Sequence, residues 1–235
     1  MSIFSKKAPP PAPAPCDTFS ASAITRRTAE LRKRLNDYEG KRITEENTKA
    51  WFINPFLQAL GWDISNPKVG SFEVVMGGIN RADIALTKNK AVKVVVECKR
   101  LGEPLQDHVA QLKGYFDHSH AWVGILTDGA EYRFYSFGKN REKMDSVPFA
   151  VVNLSSLQLS GKNAFMMNIV RDKLDVENIA ELSRAQYVRK SFGGKKLAVT
   201  DPNVRGEFGR SFPNASPQRL DELIRFANNH YYLGK

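Results

Sequence analysis

Asp83, Glu97 and Lys99 are the residues best suited to chemistry in this chain, and they occur in the order D-x13-E-x-K. They lie in "RADIALTKNKAVKVVVECKR", residues 81–100, where a valine-rich run from Val92 to Val96 ends in Glu97-Cys98-Lys99. A carboxylate and an ammonium at the end of a core strand are costly unless something compensates them. Side chains alternate along a strand, so Lys93, Val95, Glu97 and Lys99 share one face and Val92, Val94, Val96 and Cys98 the other. If the first face is half solvated, Glu97 and Lys99 form an ordinary ion pair of little worth. Asp83 argues for more, because it interrupts "ADIAL" and Asp is disfavoured inside strands. A hairpin between the two strands would set Asp83 beside Glu97. Two close carboxylates repel, and one is driven neutral unless a cation sits between them. Hard oxygen ligands suit Mg²⁺, with Mn²⁺ as a substitute, and Mg²⁺ keeps waters and bridges to phosphate. An ammonium beside such a pair either steadies charge developing on a phosphoryl group or orients the attacking water.

Such a site needs strands in register and helices to back them. Period-two patterns predict strands at about 69–76, 81–87 and 91–98, with turns at Gly77-Gly78 and Lys88-Asn89. "PLQDHVAQLKGYFDH" carries Leu105, Val109, Leu112 and Phe116 at helical spacing. "AWVGILT" then reads as a buried strand, "DGAEYRFYSF" as a turn and strand, and "FAVVNL" as one strand more. Ahead of the meander, residues 19–37 have a helical pattern, and a second helix, "EENTKAWFINPFLQAL", begins after Thr44 as N-cap. Glu45 and Glu46 suit its first turn, Pro55 bends or splits it, and Gly61 stops it. The expected fold is α/β (α+β), a mixed central sheet flanked by helices. Four segments follow: a disordered Pro/Ala-rich arm (1–18), an N-terminal helix (19–42), a core (43–158), and a mostly helical, basic C-terminal extension (159–235). Within the last, "GKNAFMMNIVRDKL", "DVENIAELSRAQYVRK" and "SPQRLDELIRFANN" read as helices, the third with Ser216 as N-cap and Pro217 at N1. "SFGGKKLAVTDPNVRGEFGRSFPNA" reads as a long loop.

The Asp83…Glu97-Cys98-Lys99 series resembles the PD-(D/E)XK nuclease signature, with Ala82 in place of the signature's Pro. Its context, "EENTKAWFINPFLQALGWD…RADIALT…VVVECKR…QLKGYF…WVGILTDGAEYRFYS", is similar to the N-terminal nuclease domain of type I restriction enzyme R subunits over roughly residues 43–137. The resemblance implies a restriction-endonuclease-like fold and Mg²⁺-dependent hydrolysis of DNA, as in restriction or phage and host defence. It makes Asp83 and Glu97 metal ligands and Lys99 the catalytic lysine. Glu45 becomes the helix-borne acid, with Glu46 its rival, and Gln111 and Tyr115 match the family's Q-x-x-x-Y motif. A non-cleaving DNA- or protein-binding module on the same fold, and a junction-resolving nuclease, are the alternatives.

Composition is compatible with that reading. The chain has 235 residues, 42% apolar and 26% charged, and a net charge of +10. The excess suggests a polyanionic partner, here DNA. Residues 186–235 hold nine Lys/Arg against four acids, so half of the net charge falls on this tail. Lys195, Lys196, Arg205 and Arg210 are the candidate phosphate contacts, helped by helix 19–37. A chain ending near Lys190 is expected still to fold, since the predicted sheet is complete before it. No run reaches the ~18 apolar residues of a membrane span. The N-terminus lacks a signal-peptide core, and Cys98 in a strand points to a reduced, cytoplasmic setting. No G-x-x-x-x-G-K-[ST] loop occurs, so ATP is not an expected ligand. A homodimer or larger nucleoprotein complex stays open. His118-x-His120 lacks the cysteines of a zinc site, and Arg205, Phe208, Arg210 and Phe212 read either as a backbone clamp or as a solvated loop.

Overall fold

The computed structural model describes residues 21–76, 80–138, 141–158, 161–193 and 195–230. The Pro/Ala-rich arm and the Gly77-Gly78 turn expected from the sequence lie outside them. Helix α1 (Ala21–Asp37) buries Ile24, Thr28, Leu31 and Leu35, the stripe its spacing predicts. Two of its basic residues are held by carbonyls outside the helix: Arg32 donates to the Leu157 carbonyl at 3.0 Å, and Arg34 to the Trp51 carbonyl at 2.5 Å. The expectation that this helix offers its charge to DNA phosphates is corrected at those two positions.

Arg34 explains how the next helix survives its proline. Helix α2 (Glu45–Thr48) starts at Thr44, whose hydroxyl accepts from the Asn47 N–H. It passes into a π turn (Lys49–Ile53) and continues as α3 (Asn54–Ala59). Pro55 has no N–H to give and its ring crowds the carbonyl four residues back, which is that of Trp51. The wider turn accommodates the ring, and Arg34 takes the orphaned carbonyl. Gly61, with φ +87°, follows the helix end, as expected for a stop.

Six strands form one sheet in chain order: β1 (Gly70–Met76), β2 (Asn80–Lys88), β3 (Ala91–Cys98), β4 (Val123–Thr127), β5 (Glu131–Tyr135) and β6 (Ala150–Asn153). All pairs are antiparallel except β3–β4, which is parallel because α4 (Val109–Asp117) crosses over between them. The β2–β3 turn is Asn89-Lys90, both at positive φ, one residue later than the spacing predicted. The parity reading of β3 holds from Val94 to Cys98 and is corrected at Val92, which packs on the Val95 side beyond the register shift at Leu86/Thr87; both faces are covered. Val94, Val96 and Cys98 enter the larger core, while Val95 packs with Ala82, Ala85, Leu112, Tyr115 and Phe116 under α4.

The larger core does not divide at residue 158. "GKNAFMMNIVRDKL" forms 3₁₀ turns (Gly161–Asn168 and Arg171–Lys173) instead of the expected helix. Its backbone is tied to the end of α3: the Trp62 indole donates to the Ile169 carbonyl at 3.0 Å, and the Arg171 N–H to the Leu60 carbonyl at 2.9 Å. Helix α5 (Val176–Lys190) is capped by Asp175. The predicted loop contains a helix, α6 (Pro202–Ser211), capped by Asp201 through the Asn203 and Val204 N–H groups. Gly206 and Gly209 weaken its sequence signal, but buried Val204 and Phe208 hold it in place, which removes the solvated-loop reading. Helix α7 (Pro217–Asn229) starts at Ser216 as expected. Leu197, Val204, Phe208, Phe212, Leu223, Ile224 and Ala227 all lie in the same core as Phe149, Val152 and Phe165. Residues beyond Lys190 are thus part of the main core, against the expectation that the fold is complete before them.

Candidate active site

The site forms where β2, β3 and the Glu45 helix meet. The β2–β3 register pairs Ile84 with Val96, so the next pair outward is Asp83 with Glu97. There the Asp83 carboxylate replaces the ladder: Oδ2 accepts the Cys98 N–H at 2.7 Å. This gives the strand-interrupting Asp a structural reason beside any chemical one. Its Oδ1 accepts from Lys49 Nζ at 2.6 Å, and the same ammonium lies 2.9 Å from Glu45 Oε1. Glu45, not exposed Glu46, is thus the acid turned toward the strands.

Glu97 is 1% exposed, which removes the half-solvated reading of this strand end. Lys99 Nζ stands 2.6 Å from Glu97 Oε1, yet neither carboxylate oxygen has a hydrogen bond of acceptable geometry. Burial pushes the Glu97 carboxyl up to about 7, with Lys99 opposing and the charges of Asp83 and Glu45 adding to the rise. The three carboxylates therefore feel one another. Lys99 also reaches Gln111 Oε1 at 3.4 Å, and Gln111 Nε2 donates to the Tyr115 hydroxyl at 2.6 Å. Tyr115 belongs fully to the core under α4, while Gln111 is exposed, so the pair spans the rim of that core.

The backbone beyond Lys99 is fastened at three points. The Lys99 N–H extends the parallel ladder to the Thr127 carbonyl at 2.8 Å. The Leu101 N–H donates to Thr48 Oγ1 at 3.1 Å, and the Gly102 N–H to Asp128 Oδ2 at 3.0 Å. Asp128 also accepts from the Ala130 and Glu131 N–H groups. The adjoining Gly129 has φ +84°, and a Cβ there would stand 2.9 Å from Phe52 Cβ and 3.2 Å from Thr48 Cγ2. The β4–β5 turn thus rests directly on the helix that carries Glu45.

Thr48, Lys49 and Asp128 were not among the residues singled out in the sequence. A signal existed for two of them: "EENTK" places Lys49 four residues after Glu45 on one helix face, and "TDG" marks a turn after a strand. Lys195, Lys196, Arg205 and Arg210 are not joined to this cluster by any hydrogen bond or ion pair of the described residues. Lys195 and Lys196 are exposed, Arg205 bonds to Asp221 at 2.5 Å and to the Val199 carbonyl at 2.9 Å, and Arg210 pairs with Glu207.

A divalent cation fits the donor set by its chemistry. Three carboxylates supply hard oxygens, and Glu97 is buried with neither oxygen hydrogen-bonded. The side chains are not yet gathered for it: among the described residues no three His, Cys, Asp or Glu stand close enough to hold a metal ion.

Glu97 carries a stability prediction. Its folded-state pKa lies above the ordinary 4.5, so the protonated carboxyl favours the fold. That contribution is whole below pH 4.5 and is lost as pH rises through about 7. Each tenfold change in proton affinity is worth about 1.4 kcal/mol, so the metal-free protein forgoes roughly 3 kcal/mol at pH 8. Glu97→Gln is expected to be the more stable protein at pH 8 and nearly equal to wild type at pH 4.5, measured by urea denaturation. Equal stability at pH 8 counts against a carboxylate whose burial outweighs its pairing with Lys99.

Residues 44–148 match the family model of the type I restriction enzyme R protein N terminus. No curated protein and no solved structure matches the chain. The matched span runs from the N-cap of the Glu45 helix to just before β6 and holds every member of the carboxylate–lysine cluster. Residues 44–148, somewhat under half of the chain, are thus similar to the N terminus of type I restriction enzyme R proteins, in line with the resemblance seen in the sequence.

Proposed function

We propose that the protein is a metal-dependent endodeoxyribonuclease of the PD-(D/E)XK type, acting in restriction or defence against foreign DNA. One observation carries the reading: a fully buried Glu97 with unbonded oxygens, beside Lys99 and within electrostatic reach of Asp83 and Glu45. Asp83, Glu97 and Glu45 would hold Mg²⁺, which when bound supplies a Lewis acid for the scissile phosphate and lowers the pKa of a water. Lys99 places a positive charge where charge grows on the phosphate, which is worth most in a site closed to water. Gln111 limits the swing of Lys99 by accepting from its ammonium, and Tyr115, fixed in the core, holds the Gln111 amide. The straps from Thr48 and Asp128 keep the Lys99 backbone aligned with the strand ladder. Lys195, Lys196 and Arg210, exposed on and before α6, are offered as sequence-independent phosphate contacts, with Arg205 contributing less because Asp221 holds it. No described helix is long and apolar enough to cross a membrane, and a cytoplasmic setting goes with DNA as the partner.

The rival reading, a binding module that does not cut, is favoured by the way Lys49 already satisfies Asp83 and Glu45. One set of experiments separates the two. Plasmid and single-stranded DNA are incubated with Mg²⁺, Mn²⁺ or EDTA, and Mn²⁺ binding is measured by calorimetry. Cleavage with metal and none with EDTA is expected, with Mn²⁺ binding strongly weakened in Asp83→Ala and in Glu97→Ala. DNA binding without cleavage under any metal, or Mn²⁺ binding unchanged in both variants, selects the module.

A further inference from the structure

Lys49 has a place in the site that its sequence position alone does not reveal. It opens the π turn, one helical turn after Glu45, with its side chain 18% exposed. Its ammonium lies between two carboxylates, 2.9 Å from Glu45 Oε1 and 2.6 Å from Asp83 Oδ1. The remaining Asp83 oxygen is taken by the Cys98 N–H. Glu97 is the acid whose oxygens are buried without a hydrogen bond. A monovalent cation belonging to the chain therefore stands where a divalent one would contact Glu45 and Asp83.

We propose that Lys49 is a displaceable internal counter-ion: it holds Glu45 and Asp83 together until a DNA phosphate draws its ammonium away, so that DNA binding and divalent-cation binding at this site are coupled. This rests on the metal-dependent nuclease reading and adds the order in which the site is filled. The charge balance supports it. Glu45, Asp83 and Glu97 face Lys49 and Lys99, so the resting cluster is only one charge from neutral. Moving Lys49 off its carboxylates into water would leave two of them uncompensated, which is unfavourable above all for Asp83, whose side chain is 13% exposed. A phosphate at the site changes that balance, since it offers the ammonium a new anionic partner. Lysine suits the exchange, being a point charge with rotatable donors on a flexible stem. The vacated carboxylates then attract a divalent cation more strongly than before. By linkage the effect is reciprocal, so the metal must also tighten DNA binding by the same factor. Free protein would be sparsely metallated and would acquire its cation on the substrate.

The test uses the full chain and Mn²⁺ as the probe. Calorimetry is run on wild type, Lys49→Met and Lys49→Arg without DNA. It is then repeated with a short DNA duplex in a Lys99→Ala background that keeps hydrolysis slow. The expected result is Mn²⁺ binding about tenfold tighter in Lys49→Met than in wild type, within the usual range of coupling between sites. Lys49→Arg should stay close to wild type. The duplex should raise Mn²⁺ affinity when Lys49 is present and not when it is Met. Equal or weaker Mn²⁺ binding by folded Lys49→Met overturns the proposal and leaves the metal site standing. If thermal melting shows Lys49→Met unfolded, the Lys49-containing protein with and without duplex decides, and the same Mn²⁺ affinity in both overturns it. Absence of Mn²⁺ binding in every form, with and without duplex, removes the nuclease reading and this inference with it.

Discussion

A Lys99→Ala variant is expected to bind duplex DNA almost as wild type does and to cut it roughly a hundred- to a thousandfold more slowly, the usual loss when one preorganised charge or donor is removed from a closed site. Lys99 is tied to its place by Glu97 at 2.6 Å and Gln111 at 3.4 Å, so it is aimed into the cluster and not along the protein surface. A cation held that way acts chiefly on charge that develops during the reaction, and so lowers kcat and kcat/KM together. Single-turnover cleavage and gel-shift titration give the two quantities separately. Affinity falling in step with rate would make Lys99 a phosphate anchor. No change in either would reduce it to the partner that makes Glu97's burial tolerable.

Ending the chain at Lys190 is expected to leave no folded protein. The truncation removes Leu197, Val204, Phe208, Phe212, Leu223, Ile224 and Ala227 from the core that also contains β6 and the underside of β3. Each large apolar side chain contributes about 1.5–3 kcal/mol by its burial, so the loss is as large as the roughly 5–15 kcal/mol by which a domain is stable. It would also strip Gln186 and Arg189 of α5 of their partners on α7, the Ala227 carbonyl and Asn228. Circular dichroism and solubility of the shortened chain check this. A soluble product with a native sheet signal would show that the C-terminal helices only cover the fold. Because truncation is not a usable probe, the charges of this region have to be tested in place, with Lys195, Lys196 and Arg210 changed to Ala and the salt dependence of DNA binding compared.

How far the sequence could be read depended on whether local pattern and tertiary demand coincided. Strand parity separated Val95 from Val94 and Val96 correctly, because a period of two is a local property that a buried sheet enforces on both faces. A hairpin was enough to bring Asp83 near Glu97, but their exact pairing depends on the turn at Asn89-Lys90 and on a register shift at Leu86/Thr87, neither of which the spacing announced. Thr44 and Ser216 were legible as caps because capping is chemistry between near neighbours. Helix α6 was hidden by Gly206 and Gly209, whose weak propensity is overridden by the burial of Val204 and Phe208. The 3₁₀ path of residues 161–173 follows from bonds to Leu60 and Trp62, about a hundred residues away in the chain, which no local window contains. The split of the basic residues was illegible for the same reason. Nothing near Arg34 in sequence announces that Pro55 will leave the Trp51 carbonyl for it to cap. Lys49 was visible as a helix neighbour of Glu45, but its grip on Asp83 appears only when helix and strand are brought together.

The turn at Gly129 has a consequence for which parts of this molecule can drift. Phe52 and Thr48 come so near its Cα that a hydrogen is all the space admits, and the positive φ already excludes most side chains. The helix bearing Glu45 therefore lies on the sheet's end at the closest approach that covalent structure permits. The interval between the helix-borne acid and the strand-borne pair is a contact distance, not a balance of soft forces. A ruler of that kind tolerates wide variation in the loops around it, because lengthening a connection elsewhere leaves the contact untouched. It tolerates none at its own position, where a single added methyl would act as a shim and open the jaw that the three carboxylates share.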